Sequence, residues 1–382
     1  MAGIYIHIPF CKQACYYCNF HFSTSTRLWS EMVHSMIKEI TLSRGFLIND
    51  KTEPEIIETI YFGGGTPSLL TIADIKNLLN AISSNYIVTP NAEITLEANP
   101  DDINIEKLKA WKESGINRLS IGIQSFHEKN LQWMNRAHNA LQATESITLA
   151  RSAGFENFSI DLIYGIPELT NDEWKASVDF VTRNAVPHIS CYALTVEPKT
   201  ALQKMIVQKK KGNIDPSLQA NQFELLMGWM KQAGYEHYEI SNFSRPGYRS
   251  RHNSGYWQRK KYIGIGPSAH SYNGTHRRWN IANNALYAAS LKKNTLPFEE
   301  EKLTRENRLN EYIMISLRTM EGLDLKKLEN EFSVNEKDRV NKLISQYNYI
   351  SGRMMRTEGD RLLLTDEGKL FADGIAASLF KA

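Results

Sequence analysis

The chain has few cysteines, no long apolar run and almost no net charge, and each of these absences excludes a class of protein. Its 382 residues include only four cysteines, which does not suit a disulfide framework and predicts a reducing, cytoplasmic setting. No stretch approaches the ~18 consecutive apolar residues of a membrane-spanning helix, and the first residues do not read as a signal peptide. With 45 basic and 42 acidic residues the net charge is +3, so nucleic acid is not an expected partner. At most, peripheral contact with a membrane is expected.

Three of the four cysteines lie together near the N-terminus. Cys11, Cys15 and Cys18 form a C-x3-C-x2-C set directly after a strand-like run. Three thiolates at this spacing reach one inorganic centre and leave one position without a cysteine ligand, where chemistry can take place. The alternative is a zinc site completed by His7 or His21, because zinc favours four cysteine and histidine ligands.

Short strand-like runs alternate with amphipathic helical stretches over the first two-thirds of the chain. Six such units are present, a pattern typical of parallel strands joined by helices. These units curl toward a barrel whose site lies at the C-terminal ends of the strands. The predicted fold class is α/β, with a partial (β/α)6 TIM-like barrel over residues 1–234 that has a lateral opening.

The alternation ends near residue 234. An aromatic and histidine-rich tract, 235–300, is predicted to connect the barrel to a helical C-terminal domain, 301–382. In that domain a hairpin around Glu358-Gly359-Asp360 precedes a last helix, an order that resembles a winged helix. Its charge does not favour DNA binding, so a packing or partner role is expected.

Glycines and polar residues follow the predicted strands where a βα barrel binds its ligand. The run Gly63-Gly64-Gly65-Thr66 comes directly after the second strand, and its free amides suit the carboxylate and amine end of a small ligand. Glu97, Gln124 and Asp161 fall at or near the ends of later strands. Each alone is explained as a helix cap or a paired inward residue, but the series predicts a ligand site. Arg136 is either a carboxylate clamp or part of a surface ion pair.

Together these residues resemble the radical S-adenosylmethionine superfamily. The three cysteines match the residues that hold a [4Fe-4S] cluster in that superfamily, where the fourth iron binds the amino and carboxylate groups of S-adenosylmethionine. Tyr17 matches the aromatic residue beside the adenine, and Gly64, Gly65 and Thr66 match the motif that takes the methionine end. The resemblance implies both the cluster and S-adenosylmethionine as cofactors.

Within the superfamily the chain resembles the oxygen-independent coproporphyrinogen oxidases and the HemW haem chaperones more than it resembles other members. The positions that match this family's nucleotide contacts are Tyr5, Glu97, Gln124, Arg136 and Asp161. The oxidases carry a further cysteine two residues after the third, where this chain has Phe20, and an N-terminal extension that is not present here. Both differences favour the chaperones over oxidative decarboxylation of coproporphyrinogen III, which remains the alternative.

A later segment carries the signature of the haem chaperones. The run from His252 to Trp257 matches H-N-x-x-Y-W, and a histidine between aromatic rings suits haem iron and a porphyrin face. The alternative is that these residues only pack the barrel against the C-terminal region. His270 and His276 are further candidate ligands. The resemblance implies haem delivery to apo-haemoproteins such as respiratory enzymes, is compatible with a homodimer, and leaves enzymatic activity and catalytic residues undecided.

Overall fold

The computed structural model describes residues 1–48 and 53–381, and parallel βα units form its centre. The strands are β1 (Ala2–Ile8), β2 (Ile57–Gly64), β3 (Val88–Ala98), β4 (Arg118–Gln124), β5 (Phe158–Tyr164) and β6 (His188–Ala193). The helices that follow them are α1 (Trp29–Leu42), α2 (Ile72–Asn85), α3 (Ile105–Glu113), α4 (Glu128–Met134), α5 (Ala140–Ser152), α6 (Asn171–Arg183), α7 (Ala201–Val207) and α8 (Pro216–Gln232). Neighbouring strands from β1 to β6 pair in parallel, which confirms the predicted α/β partial barrel.

Local sequence signals start several of these helices. A capping box satisfies the first free N–H groups of a helix, because the cap side chain and the third helical residue bond each other's backbone. The pairs that form such boxes are Thr71 with Asp74, Asn139 with Gln142, and Thr170 with Glu173. The turns from strand to helix are therefore specified within a few residues.

The tract after α8 extends the same sheet at both edges. The strands are β7 (Glu236–Glu239), β8 (Asn242–Ser244), β9 (Lys261–Ile265), β10 (His270–Tyr272), β11 (His276–Asn280) and β12 (Phe298–Lys302), with helices α9 (Arg251–Trp257) and α10 (Asn284–Lys292) between them. The sheet order is β12-β11-β10-β9-β1-β2-β3-β4-β5-β6-β8-β7. Strand β9 lies parallel to β1, and β8 lies antiparallel to β6. The aromatic tract is thus built into the barrel wall.

The C-terminal residues form a smaller unit with its own buried apolar cluster. Its helices are α11 (Arg305–Leu317), α12 (Leu325–Glu331), α13 (Val334–Gln346), α14 (Asp366–Lys369) and α15 (Ala372–Ser378), and its strands are β13 (Leu323–Asp324), β14 (Met355–Glu358) and β15 (Arg361–Leu364). The expected hairpin is present as β14 and β15, with Gly359 at φ +57° between them. The likeness to a winged helix stays a prediction. Over the described ranges, no helix is both long and apolar enough to cross a membrane.

The alternation along β1 decides which side chains line the barrel interior. Ile4 and Ile6 are fully buried among the helices, so Tyr5 and His7 lie on the opposite, inner face. Tyr5 pairs with Tyr61 on β2, and Tyr61 pairs with the β3 residue two before Glu97. The interior is therefore lined by tyrosines, histidine and carboxylates, which provide a polar site within an apolar shell.

Candidate functional site

The cysteine loop follows the C-terminal end of β1, as the sequence predicted. Cys11, Cys15 and Cys18 are partly buried free thiols, and burial raises the pKa of Cys18 to about 11. The loop is held by bonds from Cys11 N to Ser23 O (3.0 Å) and from Arg136 Nη1 to Cys15 Sγ (3.2 Å). Among the described residues, no three histidine, cysteine or acidic side chains converge closely enough to hold one metal ion. A [4Fe-4S] cluster takes each thiolate at a different iron, so its ligands need not converge on one point.

The two histidines that a zinc site would need are engaged elsewhere. His7 is 4% exposed, and its Nε2 lies 2.8 Å from the carbonyl oxygen of His21. The His21 Nε2 in turn lies 2.7 Å from Asn284 Oδ1 on α10. Both imidazoles therefore tie the cysteine loop to the wall of the barrel.

The glycine run packs directly against the cysteine loop. Gly65 N donates to Ile8 O at 2.8 Å, and a Cβ on Gly65 would lie 2.5 Å from Phe10 O. Gly64 has φ +107°, a backbone conformation that favours glycine. The sequence suggested that missing side chains leave room for a ligand. The structure adds a second reason, which is that the end of β2 must approach the backbone before Cys11.

We expect Gly65→Ala to lower the free energy of unfolding by about 1–3 kcal/mol, because its Cβ would overlap backbone that cannot move without shifting the cysteine loop. Urea unfolding measures this loss, and iron content after reconstitution should fall with it. Gly45→Ala is the matched control, since no atom lies within 4 Å of its added Cβ, and its effect should stay below about 1 kcal/mol. Equal effects of the two changes would contradict the packing role. A bulkier residue at Gly65 therefore does not isolate the ligand contact.

Two carboxyl groups, Glu97 and Asp161, are buried inside the barrel close enough to interact electrostatically. Glu97 Oε1 accepts a hydrogen bond from Tyr61 Oη at 2.8 Å, and burial raises the pKa of Glu97 to about 8. Burial also raises the pKa of Asp161 to about 6, against the lowering effect of a bond from the Ser190 hydroxyl. A cationic ligand between them would restore both groups to their charged form. The interior thus fits the sulfonium cation of S-adenosylmethionine.

Arg136 lies in the interior, and within the described part of the chain it forms no surface ion pair. Its Nη2 donates to Asn99 Oδ1 and to Gly122 O, each at 2.8 Å. A Cβ on Gly122 would lie 3.1 Å from Gln124 Nε2, which places Gln124 beside the guanidinium. Tyr17 also contacts Arg136, and burial raises the pKa of Tyr17. Asn99 was missed from the sequence, although it follows β3 directly in Glu97-Ala98-Asn99-Pro100.

The structure brings the expected nucleotide contacts together inside the barrel, between the middle of the strands and their C-terminal ends. These residues are Tyr5, Tyr17, Gly64, Gly65, Thr66, Glu97, Gln124, Arg136 and Asp161. Thr66 lies between the cysteine loop and the residues around Arg136. Its hydroxyl contacts Cys11 and accepts a hydrogen bond from Asn99 Nδ2 at 3.4 Å. The arrangement can hold a small zwitterionic nucleotide beside three thiols.

His252 lies at the other, N-terminal end of the same strands. Its Nδ1 is 2.8 Å from Thr59 Oγ1, and a Cβ on Gly3 would lie 3.2 Å from its Cε1. Its Nε2 is 2.8 Å from Tyr256 Oη, and the residue is 4% exposed. Both ring nitrogens therefore have partners in this structure.

A buried carboxylate fixes the helix that carries His252. Glu93 accepts the backbone N–H groups of Arg251 and His252, each at 3.0 Å, and lies 4.0 Å from Arg118 Nε. Arg118 and Glu93 are 1% and 4% exposed. Neither was identified from the sequence, where nothing distinguishes an inward ion pair from a surface one. Through this pair, helix α9 closes the floor of the barrel.

A cavity of about 280 Å³ lies beside α9 at this floor. His252 and Tyr256 line it, together with the cations Arg249, Arg251, Lys260 and Lys261. Glu58, which bonds Lys260 at 2.8 Å, is an acidic neighbour. Arg249 and Lys261 are also ion-paired, with Glu236 and with Glu55. Arg251 instead donates to the carbonyl oxygen of Asn91, so its guanidinium is the cation here that suits a ligand carrying a carboxylate.

The two other candidate histidines lie on the added strands. His270 is exposed on β10, with its ring 6.4 Å from that of Trp279, and within the described chain its imidazole has no hydrogen-bond partner. His276 Nδ1 lies 2.9 Å from Thr275 Oγ1. His270 is therefore the more accessible alternative to His252.

Comparisons with known proteins agree with this geometry. The profile of the radical SAM superfamily matches residues 5–181, and that of the HemN C-terminal domain matches residues 303–371. The chain is 33% identical to the heme chaperone HemW of Mycobacterium tuberculosis over 99% of this chain and 94% of the relative. It is 34% identical to that of Bacillus subtilis over 87% of each. The coproporphyrinogen III oxidase HemN of Escherichia coli superposes with a TM-score of 0.84 at 21% identity, covering 100% of this chain and 90% of that one.

Proposed function

Since the chain belongs to the HemW family of the radical S-adenosylmethionine superfamily, we propose that it binds haem and delivers it to apo-haemoproteins. Membership implies a [4Fe-4S] cluster and S-adenosylmethionine. We propose Cys11, Cys15 and Cys18 as the cluster ligands and the nine residues named above inside the barrel as the nucleotide contacts. When bound together, these groups supply one-electron chemistry. Glu97 and Asp161 hold the cationic ligand, and Arg136 orients the loop at Cys15.

The observation that carries the haem proposal is the cavity beside α9. It combines an imidazole and a tyrosine of the H-N-x-x-Y-W segment with Arg251 and three ion-paired cations, and haem presents an iron and two carboxylates. With about 280 Å³ available, the cavity encloses only part of a macrocycle, so the bound haem stays accessible. Accessible cargo suits transfer to a second protein. We propose acceptors such as respiratory enzymes, reached from the cytoplasm.

Haem binding should depend on His252. We expect His252→Ala to weaken haem binding about tenfold or more and to shift the Soret band, because the axial nitrogen is lost. Absorbance titration of the full chain measures both, and transfer to an apo-acceptor should slow while iron and sulfide content stay unchanged. His270→Ala and His276→Ala test the two alternative ligands, and both variants should keep the wild-type spectrum and transfer rate. If His252→Ala keeps the spectrum and transfer rate of the wild type while His270→Ala loses them, the ligand is on β10.

For the alternative function, that of a coproporphyrinogen oxidase, the structure provides no support beyond the shared fold. Phe20 stands where the oxidases carry a cysteine, and its side chain is 67% exposed beside the cysteine loop. We therefore propose no decarboxylase activity.

A further inference from the structure

A stack of rings joins the nucleotide site to the floor of the barrel. The Tyr61 ring lies 5.0 Å from the His252 ring at an angle of 24°, and 6.1 Å from the Tyr5 ring at 24°. The Tyr61 hydroxyl donates to Glu97 Oε1 at 2.8 Å. Tyr61 therefore contacts His252 with its ring and Glu97 with its hydroxyl.

His252 cannot bind iron in the position that it occupies here. Its two ring nitrogens are bonded to Thr59 and to Tyr256. A nitrogen becomes available when the imidazole and one of these partners move apart, and an imidazole that moves toward the cavity also leaves the face of Tyr61. The iron-free and iron-bound positions of His252 thus differ in their contact with Tyr61.

The charge on Glu97 decides how firmly Tyr61 is held. Because burial raises the pKa of Glu97 to about 8, the carboxyl is mostly protonated near neutral pH without a ligand. A cationic sulfonium beside Glu97 favours the carboxylate form. A hydrogen bond to a charged acceptor is about twice as strong as one to a neutral acceptor, so a bound nucleotide strengthens the bond from Tyr61.

We propose that Tyr61 couples the two sites, so that S-adenosylmethionine bound at Glu97 weakens haem binding at His252. When its hydrogen bond to Glu97 is stronger, the Tyr61 ring is held more firmly and stabilises the iron-free position of the His252 imidazole that stacks on it. The inference rests on the proposed function, because it needs both ligands at their proposed sites. By linkage, haem weakens S-adenosylmethionine binding by the same factor. Occupancy of the nucleotide site thereby promotes release of the cargo.

The test is a haem titration, followed at the Soret band, of the cluster-loaded full chain with and without saturating S-adenosylmethionine. The wild type should show an increase in haem Kd of about tenfold with the nucleotide. Tyr61→Phe keeps the ring and removes the bond to Glu97, so the ratio of the two Kd values should fall to near one. Tyr272→Phe is the control, because its hydroxyl donates to Gly274 O at 3.3 Å, and it should keep the wild-type ratio.

The outcomes separate this inference from the proposed function. Equal haem affinity with and without nucleotide, in wild-type protein that binds both, overturns the coupling and leaves the function intact. A wild-type ratio in Tyr61→Phe overturns the role of Tyr61. Failure of the wild type to bind haem overturns both proposals. The reciprocal titration of S-adenosylmethionine with and without haem needs no variant, so it decides the coupling even if Tyr61→Phe does not fold.

Discussion

Replacing Cys11, Cys15 or Cys18 by alanine is expected to reduce the iron and sulfide content from about four each per chain to near zero. Three thiolates are the full cysteine set of this loop, and the remaining cysteine, Cys191, is 2% exposed on β6, where it cannot substitute. Iron and sulfide assays after anaerobic reconstitution measure the loss, together with the absorbance of the cluster.

Cys191→Ala is the matched control for the cluster, because it removes a thiol that faces the apolar core. The Cys191→Ala variant should keep full iron content. Its loss of stability should be smaller than that caused by truncating a large core side chain, because less volume is removed. Full occupancy of the wild-type protein by zinc, with no iron-dependent absorbance after reconstitution, would contradict the assignment. Retained iron in all three loop variants would do so as well.

Glu93→Ala should cause the largest loss of stability of any change discussed above, about 3–5 kcal/mol. The change removes the carboxylate 4.0 Å from Arg118 Nε, whose side chain is 1% exposed, and leaves Asp161 as the remaining acidic group that interacts with this guanidinium. It also removes the acceptor for the N–H groups of Arg251 and His252 at the start of α9. Urea unfolding measures the difference, and haem affinity should fall in parallel because His252 loses its support.

Asp179→Ala gives the comparison for an exposed pair. Asp179 lies beside Lys175 on α6, with side chains 32% and 39% exposed, and its loss should cost less than about 1 kcal/mol. The loss of stability in Glu93→Gln should lie between the losses in Glu93→Ala and Asp179→Ala, since glutamine keeps an acceptor oxygen but loses the charge. An unfolding midpoint of Glu93→Ala equal to that of the wild type would show that Arg118 and α9 are held by other contacts.

The central strands of the barrel were predictable because each unit carries its own signal. Apolar runs bounded by caps such as Thr71 and Thr170 place a strand and its helix by local chemistry. The edge strands were not predicted, since β8 and β10 are three residues long and take their place from distant partners. Periodicity cannot show that β9 lies beside β1, because that neighbour relation is non-local.

The residues of the functional site were likewise predictable only in part. The cysteines were found by spacing, and Glu97 by its position after a strand. Tyr61, Glu93 and Arg118 were missed because their importance comes from facing inward against residues distant in the chain. For His252 the sequence showed the motif, but only the structure shows that both ring nitrogens are bonded. Its role as a haem ligand stays a prediction.

The floor of the barrel also imposes an order on synthesis of the chain. Thr59 is separated along the sequence by 193 residues from its partner His252, and Glu93 by 159 residues from the same histidine. At about 5–20 residues per second, a ribosome needs many seconds to cover such a distance. Strands β1 to β6 are therefore all synthesised before α9, with their polar interior open at the floor and with Glu93 and Arg118 still lacking their contact with that helix. Closure by long-range contacts is slow in its own right, so the nascent barrel stays accessible to solvent, cofactors and chaperones until residue 257 has left the exit tunnel.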